Sequence, residues 1–438
     1  MLRRKMIEYL VNWKSTKNEE CLVVKGARQV GKTYIIREFG KTYKNFIEIN
    51  FLLNKSAKTA FAGDLLVDDI LMSLSANVKD VKFVPKETLI FLDEIQACPE
   101  ARTALKSFAI DGRYDVIASG SLLGLSFGQD TETEKEISSI AVGYEKEIEM
   151  LPMDFEEFLW AIGVSEDVIH SLDKYVDGNE KIPDAINNSM SEYLRQYIVV
   201  GGMPAVVNKF VNSKNYNEVY NEQKKILNAY EDDVMKHATN IEKSKIKRCF
   251  NSLPKQLAQE NKKFKYSVVE KKATAKKYRN SLQWLNDVGI INLCYNVSTP
   301  SFPLKAYEDE DYFKAYINDT GLLTAMYEYD MKASILEKKL MGAMKGGIYE
   351  NLIANMLLSR NYSLHFYKPK ENNQEIEFVI SKDSNIIPVE VKSKNGKTES
   401  LNCYIESFNP KLTYKFVDGN AGRADNKITL PHYMAMKL

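Results

Sequence analysis

Gly26-Ala27-Arg28-Gln29-Val30-Gly31-Lys32-Thr33 is the stretch on which the reading of this chain turns. It satisfies the pattern G-x-x-x-x-G-K-[ST] at every fixed position. An apolar run, Cys21-Leu-Val-Val-Lys25, precedes it and the helical pattern Tyr34-Ile-Ile-Arg-Glu-Phe39 follows. That context is what the pattern needs, because a strand must deliver the loop and a helix N-terminus must close it. The glycines let backbone N–H groups curl round a phosphate, and the helix end adds partial positive charge. Lys32 is placed to reach the β- and γ-phosphates, and Thr33 offers a hydroxyl to Mg²⁺. Gly26, Ala27, Arg28, Gln29, Val30, Gly31, Lys32 and Thr33 are therefore the candidate nucleotide-binding residues.

Moving outward, Leu89-Ile-Phe-Leu92 reads as a buried strand that releases two carboxylates, Asp93 and Glu94, at its C-terminal end. Ligands of open α/β sheets bind at that end. Asp93 is expected to hold Mg²⁺ and Glu94 to polarise the attacking water. Val116-Ile-Ala118 runs into Ser119-Gly-Ser121, and a hydroxyl there, Ser119 first, is placed to sense the γ-phosphate. With Phe46-Ile-Glu-Ile-Asn50 and Ile148-Glu-Met-Leu151 these runs predict a parallel sheet with helices on both faces, an α/β core over 1–151. Arg28, Arg37, Arg102 and Arg113 all fall in this core, read as packing or surface residues, and none is assigned as an arginine finger.

Beyond Pro152 the pattern turns helical, with a helix start at Asp154-Phe-Glu-Glu-Phe-Leu-Trp160 and a breaker at Gly201-Gly-Met-Pro204, giving a helical segment over 152–237. From Lys243 to Asn280 there are thirteen basic residues against Glu260 and Glu270, a net of +11. Three helical pieces followed by Ile290-Ile-Asn-Leu293 and Phe313-Lys-Ala-Tyr-Ile317 are in winged-helix order, over 238–332. Lys276, Lys277 and Arg279 lie on the predicted third helix, where DNA phosphates are one reading and a solvated basic face, or a face for protein contacts, is the other.

The last segment, 333–438, reads as a small α/β unit. Glu350 sits in a helix, Glu377 in a strand, and Glu390-Val-Lys392 in the next strand, with Glu390 and Lys392 on one face. Glu350, Glu377 and Glu390 with Lys392 form a candidate second metal site, similar to the P-D…(D/E)-x-K nuclease core. Glu377 stands where an aspartate is usual, and Glu375 is on the same face. An active nuclease, an inert nuclease-like fold and an ordinary charged strand face are the alternatives.

The chain has 438 residues, 44% hydrophobic and 27% charged, which suits two to four domains of about 100–200 residues and excludes global disorder. Lys and Arg total 60 against 59 Asp and Glu, so net charge names no partner. No apolar run approaches the roughly 18 residues of a membrane span. The N-terminus lacks a signal-peptide core. The five cysteines are scattered, so neither disulfides nor structural zinc are expected, and a cytoplasmic location fits. His170, His237, His365 and His432 form no ligand pair by spacing.

These motifs together resemble the prokaryotic AAA-type ATPases of the AAA+ superfamily that join an ATPase core to a winged helix and a C-terminal domain of unknown function. The matching blocks are Gly26–Thr33, Phe91-Leu-Asp-Glu-Ile-Gln96, Ser119-Gly-Ser121, Leu151-Pro-Met-Asp-Phe-Glu-Glu-Phe158, Gly201–Pro204, Asn318-Asp-Thr-Gly-Leu-Leu323, Gly347-Ile-Tyr-Glu350 and Glu390-Val-Lys392. Many relatives carry an arginine shortly before Leu151, where this chain reads Ala141-Val-Gly-Tyr-Glu-Lys146. The resemblance implies a P-loop parallel-sheet core, a helical lid, a winged helix and a C-terminal α/β restriction-endonuclease-like domain. It implies Mg²⁺-dependent ATP hydrolysis driving domain movement, with DNA and further copies of the chain as candidate partners. The alternatives are a nucleotide-gated DNA-binding module with little turnover and an inert nuclease fold, or an ATP-regulated metal-dependent nuclease.

Overall fold

The computed structural model describes residues 2–16, 20–78, 81–121, 143–237, 240–369, 374–392 and 398–438. Ala141 and Val142 of the segment before Leu151, and the side chains of Ser121 and His237, lie outside the described residues. The chain divides into two compact units, Arg3–Leu151 with Asp287–Gly289, and Pro152–Asn286 with Ile290–Leu438.

The first unit is built on a five-stranded parallel sheet: β1 (Cys21–Gly26), β2 (Asn45–Asn50), β3 (Thr88–Asp93), β4 (Asp115–Ser121) and β5 (Glu145–Glu149), in the order β2-β3-β4-β1-β5. Every residue of β3 is buried, as its unbroken apolar run requires in a sheet covered on both faces. The fifth strand begins three residues earlier than its apolar pattern suggests, since a strand at the sheet edge needs only one buried side. One face carries Val23, Ile47, Ile49, Ile90, Leu92 and Val116 against the helices α3 (Val67–Asn77) and α4 (Pro99–Asp111). This unit also contains α1 (Lys5–Ser15), α2 (Lys32–Gly40) and the 3-10 segments Lys55–Phe61 and Ile95–Ala97, and α2 buries Ile35, Ile36 and Phe39.

Because β4 lies between β1 and β3, the ends of all three come together at one edge of the sheet. Val24 faces Ser119 in the β1–β4 register, and Leu92 faces Ala118 in the β3–β4 register.

The second unit begins with helices. Phe155–Ile162 starts with a full capping box: Asp154 Oδ1 accepts from the Glu157 N–H at 2.9 Å, and Glu157 Oε2 accepts from the Asp154 N–H at 3.1 Å. Helices Asn240–Leu257, Tyr266–Val269 and Ala275–Asp287 precede the antiparallel pair β6 (Ile291–Val297) and β7 (Glu308–Ile317). This pair does not stand apart from the C-terminal strands. β6 runs parallel to β8 (His365–Tyr367), pairing Tyr295 with His365 and Asn296 with Phe366. With β9 (Ile376–Lys382), β10 (Asn385–Val391), β11 (Thr413–Val417), β12 (Gly422–Ala424) and β13 (Lys427–Pro431) they form one eight-stranded mixed sheet in the order β12-β13-β11-β10-β9-β8-β6-β7. β13 alternates buried Ile428 and Leu430 with Lys427 and Thr429 and pairs with β11, while the short β12 has no apolar run and is recruited by pairing with β13.

Three of the sequence blocks meet in the second unit for packing reasons. The Gly202 carbonyl accepts from the Met153 N–H at 2.7 Å, and the Gly202 N–H donates to Asp319 at 2.5 Å. A Cβ on Gly202 would lie 1.9 Å from the Met153 carbonyl oxygen, so no other residue fits.

Candidate functional site

The loop after β1 turns on two left-handed residues, Gln29 (φ 66°) and Gly31 (φ 96°), and Gly31 is the N-cap of α2. This curl points the first N–H groups of the helix and loop inward, the arrangement that holds an anion. Gly26 is needed for a different reason: a Cβ there would meet the Met150 carbonyl oxygen at 2.4 Å, where the Met150 N–H pairs with Lys25 O at 2.7 Å. Arg4, buried at the foot of α1, donates from Nη1 to the Val30 carbonyl at 2.8 Å and from Nη2 to the Leu151 carbonyl at 2.7 Å. It fixes the loop from behind. No local pattern announces it, since it lies outside the motif in sequence.

Lys32 Nζ donates to the Gly26 and Ala27 carbonyls, each at 2.9 Å, so its ammonium sits within the curve of the loop. Burial lowers its pKa to about 8, while Glu94 and Asp93 act to raise it and Arg28 to lower it. Thr33 Oγ1 lies 3.2 and 3.3 Å from the two Asp93 oxygens. Asp93, 2% exposed, also accepts from Asn50 Nδ2 at 2.8 Å and from the Ser119 hydroxyl. Asn50, at the tip of β2, is held in turn by the Leu52 and Leu53 N–H groups on its Oδ1. The sequence reading missed Asn50, whose only signal is its place at a strand tip beside the Asp93 strand. Glu94 has the left-handed backbone φ 56°, ψ 46°, and its Oε2 accepts from Gln96 Nε2 at 2.5 Å.

The donor set suits a nucleotide with magnesium. A hydroxyl and a carboxylate stand side by side, an ammonium sits inside an amide-lined curve, and a second carboxylate stands one residue on. Ser119 is placed against Asp93, so in this geometry its hydroxyl orients that carboxylate. Arg37 is paired with Glu48, Arg102 with Glu145 and Glu147, and Arg113 with Asp111 and Asp68.

The C-terminal carboxylates are close in space but occupied by lysines. Glu350, on the helix Gly342–Ser359, meets Lys262 at 2.9 Å, Lys314 at 3.3 Å and the Tyr316 hydroxyl at 3.2 Å. Burial works against its charge, but Lys314 and Lys262 outweigh that and hold its pKa below the usual carboxylate range. Glu375 takes Lys314 at 2.6 Å and Lys368 at 3.1 Å, so it serves a different pairing from Glu377. Glu377 pairs with Lys392 at 2.8 Å and accepts from the Val391 N–H at 3.2 Å. Glu390, fully buried, has Lys392 at 3.3 Å and faces Lys415 across the β10–β11 register. Burial pushes the pKa of Glu377 up, with Lys392 opposing and the charges of Glu350 and Glu390 reinforcing it. Among the described residues no group of three or more His, Cys, Asp or Glu side chains is arranged to hold a metal ion.

The basic segment is also less bare than its count of charges suggests. Lys247 pairs with Glu231, Arg248 and Lys277 with Glu270, Arg279 with Glu310 and Asp311, and Lys262 with Glu350. Most of those acids lie outside the segment in sequence. Lys271, Lys272 and Lys276 are exposed. All five cysteines are free, and among the described residues no helix is long and apolar enough to cross a membrane.

Residues 18–159 match the model of an AAA domain. Residues 191–333 match a domain of unknown function (DUF8612), and residues 345–431 match another (DUF4143). None of the curated proteins matches the chain. Among solved structures it is similar to the Walker-type ATPase PABY2304 of Pyrococcus abyssi, 13% identical, covering 74% of this chain and 96% of that one with a TM-score of 0.43. It is also similar to AMPPCP-bound DnaA from Aquifex aeolicus (12% identical, 65% and 86% covered, TM-score 0.28) and to Drosophila ORC bound to DNA (11% identical, 76% and 84% covered, TM-score 0.27). The five-stranded parallel sheet falls within residues 18–159, the part that matches the AAA domain.

Proposed function

We propose that this chain binds ATP with Mg²⁺ at Gly26–Thr33 and hydrolyses it. The observation that carries this reading is the convergence of Lys32, Thr33, Asp93 and Glu94 at one edge of the sheet, with Thr33 Oγ1 3.2 Å from Asp93 Oδ1. The loop amides and Lys32 hold the β- and γ-phosphates, Thr33 and Asp93 hold the metal, and Glu94 accepts a proton from the attacking water. Magnesium, when bound, neutralises charge on the phosphate oxygens. Steady-state phosphate release with bound-nucleotide measurements tests this. Lys32→Ala is expected to abolish ATP binding, and Glu94→Gln to keep binding while slowing release by about 100-fold or more. Wild-type turnover by Lys32→Ala would sink the assignment.

The reading extends to a partner. Arg37, Arg102 and Arg113 are committed to internal pairs and Arg28 lies in the loop itself, and a further cation completing the site is proposed to come from a second copy of the chain. Sedimentation velocity with and without ATP tests this, with a shift to a larger species expected. DNA is proposed as the ligand of the winged-helix segment.

Lys262 and Lys314 seated on Glu350 favour the inert nuclease-like reading of 333–438 over the active one, while Lys392 beside Glu377 and Glu390 is common to both. Plasmid incubated with the protein and Mg²⁺ or Mn²⁺ is expected to stay intact. Cutting that disappears in Lys392→Ala would restore the nuclease.

A further inference from the structure

Gln96 stands next to the proposed site without a role in it. Its Nε2 donates to Glu94 Oε2 at 2.5 Å, while its Oε1 is buried and has no hydrogen-bond partner among the described residues. The orientation of the amide follows from chemistry. An ionised carboxylate only accepts, so the NH₂ must face Glu94 and the oxygen must be the end left over. A buried carbonyl oxygen without a donor costs about 1–3 kcal/mol. Glu94 itself is held in a left-handed conformation, which few non-glycine residues adopt, and a short 3-10 turn, Ile95–Ala97, keeps Gln96 on the same side. Two strained or unsatisfied features, adjacent and coupled by one hydrogen bond, mark a place where a ligand supplies what the protein withholds.

We propose that Gln96 Oε1 is the second acceptor for the water that attacks the γ-phosphate. This rests on the ATPase reading above. A water has two hydrogens. One is taken by Glu94 and the other is directed to Gln96 Oε1, which turns the oxygen lone pair toward phosphorus. In the step, the water oxygen forms a bond to Pγ as the bond from Pγ to the bridging oxygen breaks, and that electron pair leaves with ADP. The hydrogen on Glu94 passes to solvent, and the hydrogen facing Gln96 stays on the new phosphate as its hydroxyl. Gln96 therefore touches a reacting molecule, and its NH₂ also fixes the Glu94 rotamer.

The test is Gln96→Met, which keeps the length and removes both polar ends, beside Gln96→Glu and the Glu94→Gln reference, each checked for an unchanged melting temperature. The expected result for Gln96→Met is an ATP Kd unchanged and a kcat lower by about 10-fold or more. Gln96→Glu sets two carboxylates side by side. Its kcat–pH profile is expected to move upward in pH relative to the wild type, because like charges raise the proton affinity of the pair. A role confined to holding Glu94 would make Gln96→Met cost nothing further in the Glu94→Gln background, whereas contact with the water adds a loss in kcat there. Wild-type kcat and pH profile in both variants, while Glu94→Gln is slow, overturns the role of Gln96 and leaves the ATPase intact. No turnover in the wild type overturns the ATPase reading instead. If Gln96→Met does not fold, Gln96→Asn, a shorter amide, replaces it with the same expected loss.

Discussion

Lys32 works in a mixed field of burial, Asp93, Glu94 and Arg28, and the result is a pKa of about 8. A phosphate binds the protonated lysine and raises its pKa, so affinity is full below pH 8 and is lost as pH rises above it. ATP binding measured by fluorescence titration is expected to weaken by up to about tenfold between pH 8 and pH 9. A constant Kd from pH 7 to 9 would mean that Lys32 stays protonated throughout that range or does not contact the phosphates. Arg4 acts on the same loop from behind through the Val30 carbonyl. Arg4→Met strands two carbonyls, each worth about 1–3 kcal/mol when buried, and is expected to lower the melting temperature and raise the ATP Kd together. A change in stability with no change in Kd would separate Arg4 from the loop.

At the scale of elements, two of the family blocks prove to be structural. Leu151–Phe158 encodes a capping box, and Asp154→Ala is expected to cost about 1 kcal/mol of stability by denaturant unfolding, with ATPase turnover preserved. Gly201–Pro204 encodes a contact that excludes any side chain, and Gly202→Ala is expected to lower the melting temperature by roughly 3–10 °C. Behind that contact lies a buried polar cluster. Lys332 Nζ donates to the Val199 carbonyl at 2.9 Å and to Gln223 Oε1 at 2.7 Å. Burial lowers the Lys332 pKa to about 7, with Asp319 opposing, and burial raises the Asp319 pKa to about 6 against the Gly202 and Leu322 N–H groups. The signs are opposite. A raised carboxylate pKa makes stability fall as pH rises from about 4 to 6, and a depressed lysine pKa makes it rise from pH 7 upward. Lys332→Met is expected to flatten the rise between pH 7 and 9, and an unchanged profile would mean that Lys332 is not neutral there.

At the scale of the whole molecule, charge is the quantity that folding redistributes. The net of +11 over Lys243–Asn280 is reduced by acids from distant stretches, leaving Lys271, Lys272 and Lys276, close together in sequence, among its exposed basic residues beside Lys255. Duplex DNA binding, followed by fluorescence polarisation against salt, is expected to show a log–log slope of about −3, from three phosphate contacts. A slope near −10 would mean that the ion pairs open on binding. Sequence alone determined the phosphate loop, the carboxylate doublet and the five parallel strands, because each is a local pattern: fixed spacing, a strand tip, an apolar run. The recruitment of Asn50 and Arg4 to the loop and its carboxylate, the union of β6 and β7 with the C-terminal strands, and the lysines seated on Glu350 and Glu377 came only with tertiary structure. Those are contacts between residues far apart in the chain, and no periodicity encodes which distant charge or amide will be brought within 3 Å.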